Sequence, residues 1–328
     1  MNAFRYAQAH DAAAALATME SDPGAAYIAG GTNVVDLMKD GVVRPTLLVD
    51  ITRLPMRGID ALPDGGVRLG ALATMSEVAD HPAVASRFPV VSQSLLLSAS
   101  PQLRNMATIG GNVMQRTRCA YFRDVSQPCN KRVPGSGCAA FGGVNRLHAV
   151  VGGSEQCICT HPSDLAVALL TVDAIVHVRG RSGDRTIPIE RFHVLPGANP
   201  QRETVLQRGD LITAVELPAA ASARTSVYLK VRDRASYEFA LVSVAAALDV
   251  RAGTIRAARL ALGGVAPAPW RSYDGERALV GSAANAATFA AASRAATRTM
   301  RGYGQNDFKI ALAQRAIVRA LSDVGAAS

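Results

Sequence analysis

All five cysteines of this 328-residue chain lie between Cys119 and Cys159. Cysteines that serve only as small apolar core residues would be scattered along the sequence, whereas four thiolates that bind one metal centre must be brought together by one dedicated loop. Residues 115–156 show little periodicity, and so long an irregular span is unusual in a compact domain unless something other than side-chain packing holds it. The segment therefore predicts a buried metal cluster.

The residues alone leave the type of metal open. Thiolates bind both zinc and iron–sulfur clusters, although the wide cysteine spacings lack the paired Cys-x-x-Cys motif that is usual in structural zinc sites. His148 and His161 are the histidines near the cysteines, and we interpret both as polar loop residues rather than ligands. The odd number of cysteines argues against a simple disulfide framework.

The chain is longer than one hydrophobic core usually supports, so two or three domains are expected. Residues 1–55 have the pattern of a small α/β unit. Residues 56–220 form a second predicted unit, which carries the irregular loop at about 115–160. Residues 224–328 are predicted to be a separate α+β domain, in which an antiparallel sheet is followed by alanine-rich helices. The alanine-rich run at 219–223 is interpreted as a hinge.

Periodicity and turn residues also predict individual elements. The predicted helices lie at 12–19, 34–39, 75–80, 89–98, 285–299 and 307–321. The predicted strands lie at 26–29, 46–50, 67–70, 226–231, 240–249 and 254–262.

The chain is basic, with 35 Lys and Arg residues against 26 Asp and Glu residues and a net charge of +9. The arginines are dispersed and no nucleic-acid-binding motif accompanies them, so no nucleic-acid partner is expected. The longest apolar stretches, 165–174 and 240–248, are too short or too interrupted to cross a bilayer, and residues 1–11 lack the features of an export signal. We therefore expect no membrane insertion and a cytoplasmic location.

Two glycine pairs occur in similar settings, Ala-Gly-Gly-Thr-Asn at 29–33 and Ala-Thr-Ile-Gly-Gly-Asn at 107–112. Glycine lets the backbone approach a ligand closely, so successive N–H groups can converge on phosphate oxygens while Thr and Asn add side-chain donors. Neither pair has the spacing of a Rossmann or Walker phosphate loop. Two such turns suit a diphosphate, and an ordinary tight turn is the alternative for each pair taken alone.

Further motifs accompany these turns in a fixed order. They are Ser-Pro-Gln-Leu-Arg-Asn at 100–105, Pro-Ser-Asp-Leu-Ala at 162–166, Lys-Val-Arg at 230–232 and Phe-Ala-Leu-Val-Ser-Val at 239–244. With the two glycine turns, they resemble the FAD-binding medium subunit of the molybdenum hydroxylases, the family that includes xanthine dehydrogenase and the carbon monoxide dehydrogenase flavoprotein. The resemblance covers essentially the whole chain.

The resemblance implies an α+β fold. FAD would lie between two N-terminal subdomains of the vanillyl-alcohol-oxidase (PCMH) type, and a C-terminal α+β domain of the carbon monoxide dehydrogenase flavoprotein type would close over it. The first glycine turn is implied to hold the pyrophosphate through Ala29, Gly30, Gly31, Thr32 and Asn33. The second turn is implied to add contacts to the pyrophosphate or the ribityl chain from Thr108, Gly111 and Asn112.

Three further residues are implied to contact the cofactor. Asp164 would hydrogen-bond the polyol or adenosine side, and Ile212 would pack on the ring system. Lys230 would lie near the isoalloxazine carbonyl edge, where a positive charge stabilises the anionic reduced flavin. From the residues alone, Asp164 also suits the N-terminus of a helix, and Lys230 also suits a solvated strand position.

The cysteine segment resembles the insert of the periplasmic-type aldehyde oxidoreductase medium subunit, which carries a [4Fe–4S] cluster. The resemblance implies four ligands, which are Cys119, Cys129, Cys138 and Cys157. Cys159 would be the spare cysteine, and the choice between Cys157 and Cys159 rests on the resemblance alone. Nearby cations would partly offset the negative charge of a four-thiolate site, and they are Arg118, Arg123, Lys131 and Arg132.

The implied function is electron transfer. A large partner subunit with a molybdenum cofactor would oxidise the substrate, an aldehyde to a carboxylic acid, and a small partner with [2Fe–2S] clusters would pass electrons to this chain and on to an external acceptor. The subunits would form a heterotrimer or a dimer of it, and export together with a partner would make the location periplasmic. We therefore expect no catalytic residue for substrate oxidation here.

Other functions remain as alternatives. One is the FAD subunit of a xanthine dehydrogenase, carbon monoxide dehydrogenase or 4-hydroxybenzoyl-CoA reductase type of enzyme. Another is a self-contained flavin oxidoreductase, and a third is a zinc-stabilised scaffold.

Overall fold

The computed structural model describes residues 1–326, apart from the side chain of Ala221. Residues 327–328, which belong to the predicted C-terminal domain, lie outside the described residues. The strands in chain order are β1 (Arg5–Gln8), β2 (Ala25–Ile28), β3 (Leu47–Asp50), β4 (Ile59–Ala61), β5 (Val67–Gly70), β6 (Ile175–Gly180), β7 (Gly183–Pro188), β8 (Leu211–Leu217), β9 (Ser226–Val231), β10 (Val242–Arg251), β11 (Thr254–Gly263) and β12 (Trp270–Arg271).

A short 3-10 helix spans Ile189–Arg191. The α-helices in chain order are α1 (Ala12–Ser21), α2 (Val34–Lys39), α3 (Met75–Asp80), α4 (Pro82–Arg87), α5 (Pro89–Leu96), α6 (Pro101–Arg104), α7 (Ile109–Val113), α8 (Ala120–Arg123), α9 (Asp164–Thr171), α10 (Ala221–Arg224), α11 (Tyr273–Leu279), α12 (Ala286–Thr297) and α13 (Phe308–Ala326). The predicted helices and strands are confirmed, with ends that differ by a few residues.

The first 50 residues form a three-stranded parallel sheet in the order β1-β3-β2. The central strand β3 is buried along its whole length, and α1 covers the sheet with Ala12, Ala15 and Met19. The Asp11 side chain accepts a hydrogen bond from the backbone N–H of Ala14 at 2.7 Å and so begins the helix. The predicted α/β unit is confirmed.

The next sheet has five antiparallel strands in the order β4-β5-β8-β6-β7. Helices α3, α5 and α9 share with it a large apolar core that includes the fully buried Phe88 and Phe192. Helix α5 also contacts β9, and α9 contacts β10 and β11. Between α7 and α9 the chain is irregular apart from the single turn α8, which confirms the predicted loop. Of these five strands only β5 was predicted from the sequence, and β4, β6, β7 and β8 were not.

The C-terminal sheet has four antiparallel strands in the order β12-β11-β10-β9. Ala252 and Gly253 both have positive φ and turn the chain between β10 and β11. Helices α12 and α13 pack together, and α13 packs against β9 and β10, largely through alanines. The predicted α+β arrangement is confirmed. Because each sheet falls within one predicted segment, we propose 1–55, 56–220 and 224–328 as the domain boundaries.

Among the described residues, no helix combines the length and apolar character required to span a bilayer.

The two glycine turns touch through their backbones. A Cβ atom on Gly30 would lie 1.8 Å from the carbonyl oxygen of Met106, which is far inside van der Waals contact. Gly30 is not among the glycines with positive φ, so close approach rather than backbone conformation requires glycine here. This contact joins the first sheet to the segment that leads into α7.

Gly30→Ala should therefore destabilise the fold, because the added methyl group forces the two turns apart. We expect the free energy of unfolding to fall by about 1–3 kcal/mol, measured by urea unfolding. Gly142→Ala is the matched control, because no atom lies within 4 Å of a Cβ at that position. Equal urea midpoints for the two variants would contradict the contact.

Candidate functional site

A cavity of about 440 Å³ lies where the first glycine turn, α7, the N-terminus of α9 and strand β9 meet. Its volume is in the range of small-molecule sites. The predicted cofactor residues that line it are Gly31, Thr32, Asn33, Gly111, Asn112, Asp164 and Lys230.

The other predicted cofactor residues lie outside the lining. Ala29 and Gly30 precede the lining part of the first turn, and Thr108 begins α7 by accepting a hydrogen bond from the Gly111 N–H at 3.3 Å. Ile212 lies buried on β8, in the core of the five-stranded sheet. Its contact with a ring system stays a prediction.

The first glycine turn presents unused hydrogen-bond donors. Within residues 1–326, the backbone N–H groups of Gly31, Thr32 and Asn33 have no acceptor. Gly31 has a φ of 73°, which turns the chain at this point. The Asn33 side chain accepts a hydrogen bond from the Arg116 N–H at 3.3 Å, but its buried Nδ2 has no partner in the described structure. Such converging donors fit an anionic ligand.

The second glycine turn is tied to the protein instead. The N–H groups of Ile109 and Gly110 donate to the carbonyl oxygens of Ala73 and Ala71 at 2.9 and 2.8 Å. The Asn112 side chain likewise has protein partners, because its Oδ1 accepts from the Ser163 hydroxyl at 2.5 Å and its Nδ2 lies 3.2 Å from the Met75 sulfur. This turn therefore shapes the cavity wall.

A buried polar network forms another wall. The Asp164 carboxylate accepts hydrogen bonds from the Tyr228 hydroxyl at 2.6 Å, the Ser98 hydroxyl at 2.8 Å and the Lys230 ammonium at 2.7 Å. Lys230 also donates to the Leu97 carbonyl oxygen at 3.2 Å. Burial, and then the Asp164 carboxylate, raise the pKa of Tyr228 well above its ordinary value, so this hydroxyl stays protonated and donates.

The network settles two alternatives from the sequence. Asp164 is the first residue of α9, so the predicted helix N-terminal position is confirmed. The side chain of Lys230 is only 1% exposed, so a solvated strand position is wrong for it. Lys230 instead brings a buried positive charge to the cavity, which Asp164 balances.

The loop that follows β9 also lines the cavity, although none of its residues was predicted to contact the cofactor and only Phe239 was part of a motif. Its cavity-lining residues are Arg234, Tyr237, Glu238 and Phe239. The Arg118 guanidinium lies 5.2 Å from the centre of the Phe239 ring, and Arg234 lies 5.7 Å from that of Tyr237. Tyr237 has a φ of 51°, which is uncommon outside glycine. The position of this loop directly after Lys230 was the available signal.

All five cysteines line a second, smaller cavity, and all are free thiols. Cys129 and Cys138 face each other in an antiparallel bridge. Between them, Asn130 donates from Nδ2 to the carbonyl oxygen of Gln156 at 3.1 Å, next to Cys157. The structure thus gathers three separate loops of the segment around one centre.

Backbone N–H groups near three of the sulfur atoms lower the pKa values of the thiols. They belong to Tyr121 and Phe122 at Cys119, to Ala140, Phe141 and Ile158 at Cys138, and to Cys159 at Cys157. The Cys157 side chain lowers the pKa of Cys159 to about 7, against the effect of burial. Hydrogen bonds to sulfur favour the thiolate form that metals bind.

In the chain without a bound metal, burial opposes the thiolate form. It raises the pKa of Cys119 to about 12, despite the N–H group of Phe122, and it raises the pKa of Cys138 as well. A nearby cation is Lys131, whose side chain is 4% exposed and whose Nζ donates to the Pro200 carbonyl at 2.7 Å and to Glu203 at 3.1 Å. A bound positive centre would therefore stabilise thiolates at Cys119 and Cys138.

Among the residues that the structure describes, no group of three or more Cys, His, Asp or Glu side chains is arranged around a single metal ion. His148 and His161 lie in irregular segments, as predicted. The sequence analysis missed that His148 is buried against the cysteine cavity, with its Nε2 3.2 Å from the Cys119 sulfur.

Comparison with known proteins gives a consistent result. Residues 2–220 match the family described as the FAD binding domain in molybdopterin dehydrogenase, and residues 227–324 match the C-terminal domain of the carbon monoxide dehydrogenase flavoprotein. The chain is 45% identical to the aldehyde oxidoreductase FAD-binding subunit PaoB of Escherichia coli (strain K12), over 99% of each chain. It is 27% identical to the carbon monoxide dehydrogenase medium chain of Hydrogenophaga pseudoflava, over 95% of this chain and 92% of that one.

Solved structures show the same fold. Carbon monoxide dehydrogenase from Hydrogenophaga pseudoflava aligns with a TM-score of 0.78 at 25% identity, over 99% of this chain and 98% of that one. Quinoline 2-oxidoreductase from Pseudomonas putida 86 aligns with a TM-score of 0.77 at 23% identity, over 99% of this chain and 98% of that one. At this identity the similarity supports the fold alone. The chain belongs to the FAD-binding subunits of the molybdenum hydroxylases.

The family therefore makes this chain an FAD-binding oxidoreductase subunit, and the first glycine turn fits that cofactor. Three successive N–H groups and the Asn33 amide, which have no partner among the described residues, are donors of the kind that pyrophosphate oxygens accept. The predicted resemblance and fold class are confirmed.

Asp164→Asn should destabilise the protein by about 3–5 kcal/mol, because it leaves the Lys230 ammonium buried without a counter-charge. Urea unfolding measures this loss, and the FAD content after purification should fall with it. The matched control is Asp323→Asn, which removes the same charge from an exposed pair with Arg319. That change should stay within about 0.5 kcal/mol, and an equally mild effect at Asp164 would contradict the role of the buried pair.

Proposed function

We propose that this chain is the FAD- and [4Fe–4S]-binding electron-transfer subunit of an aldehyde oxidoreductase of the molybdenum hydroxylase type. The observation that carries the proposal is that consecutive residues, Arg118 and Cys119, line the two cavities. The 45% identity to the aldehyde oxidoreductase subunit PaoB, over 99% of each chain, supports the aldehyde as substrate class.

Both proposed cofactors supply reversible electron transfer when bound. In the flavin cavity, the N–H groups of Gly31, Thr32 and Asn33 bind the pyrophosphate. Lys230 supplies a fixed positive charge toward the flavin, and Asp164 keeps that charge in place and orients it. Asp164 already accepts three hydrogen bonds from the protein, so its main task is to hold Lys230 rather than to bind a cofactor hydroxyl.

In the cysteine cavity, the proposed ligands are Cys119, Cys129, Cys138 and Cys157. The neighbouring backbone N–H groups support Cys119, Cys138 and Cys157, because each group lowers the pKa of its thiol against the opposing effect of burial. Cys159 is not a ligand in this proposal. A single zinc ion is less suited, because its four ligands must converge within one small coordination shell.

The proposed partners are a large subunit with the molybdenum cofactor and a small subunit with [2Fe–2S] clusters, in a heterotrimer or its dimer. An external acceptor takes the electrons. The names of the relatives, a medium chain and an FAD-binding subunit, support a multi-subunit enzyme. We propose a cytoplasmic location, with export alongside a partner as the alternative.

The ligand set is tested by metal analysis of the full-length chain. The wild-type chain should contain FAD with about four iron atoms and four sulfide ions. Cys129→Ser should lose most of the iron and sulfide but keep much of the FAD, because the flavin cavity has its own donors. Cys159→Ser is the matched control and should keep the cluster.

Three results would contradict this assignment. They are unchanged iron in Cys129→Ser, loss of the cluster in Cys159→Ser, and zinc in place of iron in the wild-type chain.

Co-purification tests the partners: molybdenum should appear only together with a larger subunit. An isolated chain that oxidises an organic substrate unaided would favour the self-contained flavin oxidoreductase.

A further inference from the structure

His148 contacts a proposed ligand of the cluster. Its Nε2 lies 3.2 Å from the Cys119 sulfur, and the residue is buried. The other ring nitrogen, Nδ1, is also buried and has no partner in the described part of the chain. A buried N–H group without an acceptor is rare in folded proteins, so the ring proton belongs on Nε2, where it has an acceptor. A thiolate bound to iron carries no proton, so in that state His148 must be the donor.

The C-terminal domain holds His148 in this position. Its carbonyl oxygen accepts hydrogen bonds from the Asn306 amide at 3.2 Å and the Lys309 ammonium at 3.0 Å, and both of these residues are fully buried. Asn306 also donates to the carbonyl oxygen of Ala149 at 3.0 Å. A short distance before, the Asn145 amide donates to the carbonyl oxygen of Tyr303 at 2.9 Å. These hydrogen bonds fix the backbone of His148, and the groups that make them bind no metal.

We propose that His148 tunes the reduction potential of the cluster through an Nε2–H hydrogen bond to the sulfur of Cys119. This inference rests on the proposed function, because it requires Cys119 to be a cluster ligand. The hydrogen bond draws electron density from the thiolate, which stabilises the more negative reduced cluster and raises its potential. His148 acts through Cys119 and does not bind iron.

The test is a redox titration of the full-length chain in its complex, followed by electron paramagnetic resonance of the reduced cluster. His148→Leu removes the donor at similar volume and should shift the midpoint potential to a more negative value, with iron and sulfide unchanged. His148→Gln retains an N–H donor near the position of Nε2 and should return the potential toward that of the wild type.

Tyr121→Phe is the matched control. The Tyr121 ring is 6.0 Å from that of His148, and its hydroxyl accepts a hydrogen bond from the Val144 N–H at 2.6 Å. The variant disturbs the same region but removes no donor to sulfur, because it keeps both His148 and its own backbone N–H group, and its potential should match the wild type. An unchanged potential in a fully loaded His148→Leu protein overturns the proposal.

A second measurement covers the case in which His148→Leu does not assemble the cluster. In the wild-type chain labelled with ¹⁵N-histidine, pulsed electron paramagnetic resonance should detect one weakly coupled histidine nitrogen. No coupling, or the strong coupling of a nitrogen bound directly to iron, overturns the hydrogen bond. A wild-type chain without iron and sulfide would instead disprove the cluster itself, so the two failures are distinguishable.

Discussion

The buried ion pair between Lys230 and Asp164 is the interaction on which the flavin cavity depends. It connects strand β9 of the C-terminal sheet to the first residue of α9, a helix that also packs against α5 and against β10 and β11. Arg232 strengthens this junction, because its guanidinium donates to the Leu97 carbonyl oxygen at 3.0 Å, the acceptor that Lys230 shares. Loss of either charge would leave the other charge buried without a partner, which is unfavourable. The pair therefore fixes the distance between β9 and the N-terminus of α9.

A second set of charges connects the flavin cavity to the cysteine loop. Asp36, in α2 directly after the first glycine turn, pairs with Arg118 at 2.5 Å and with Arg123 at 2.6 Å. These arginines flank Cys119. A shift of α2 would therefore move residues beside both cavities. The two proposed cofactor sites thus share one structural support.

Sequence patterns predicted most of the helices and strands that interactions between neighbouring residues determine. Helices such as α3 and strands such as β5 have the predicted bounds, because capping residues and apolar periodicity act over a few neighbours. Strands β1, β4, β6, β7, β8 and β12 were missed. In the sheet, β8 pairs with β5 and β6, and such long-range pairing leaves little local signal.

The sequence by itself determined which residue types are available: five cysteines in one segment, two glycine turns, and a lysine on a strand. Only the tertiary structure decided that Asp164 pairs with Lys230, that His148 meets the sulfur of Cys119, and that Ile212 lies outside the cavity lining. The physical reason is that hydrogen bonds and burial depend on distances between segments far apart in the chain, and these distances exist only once the sheets have packed.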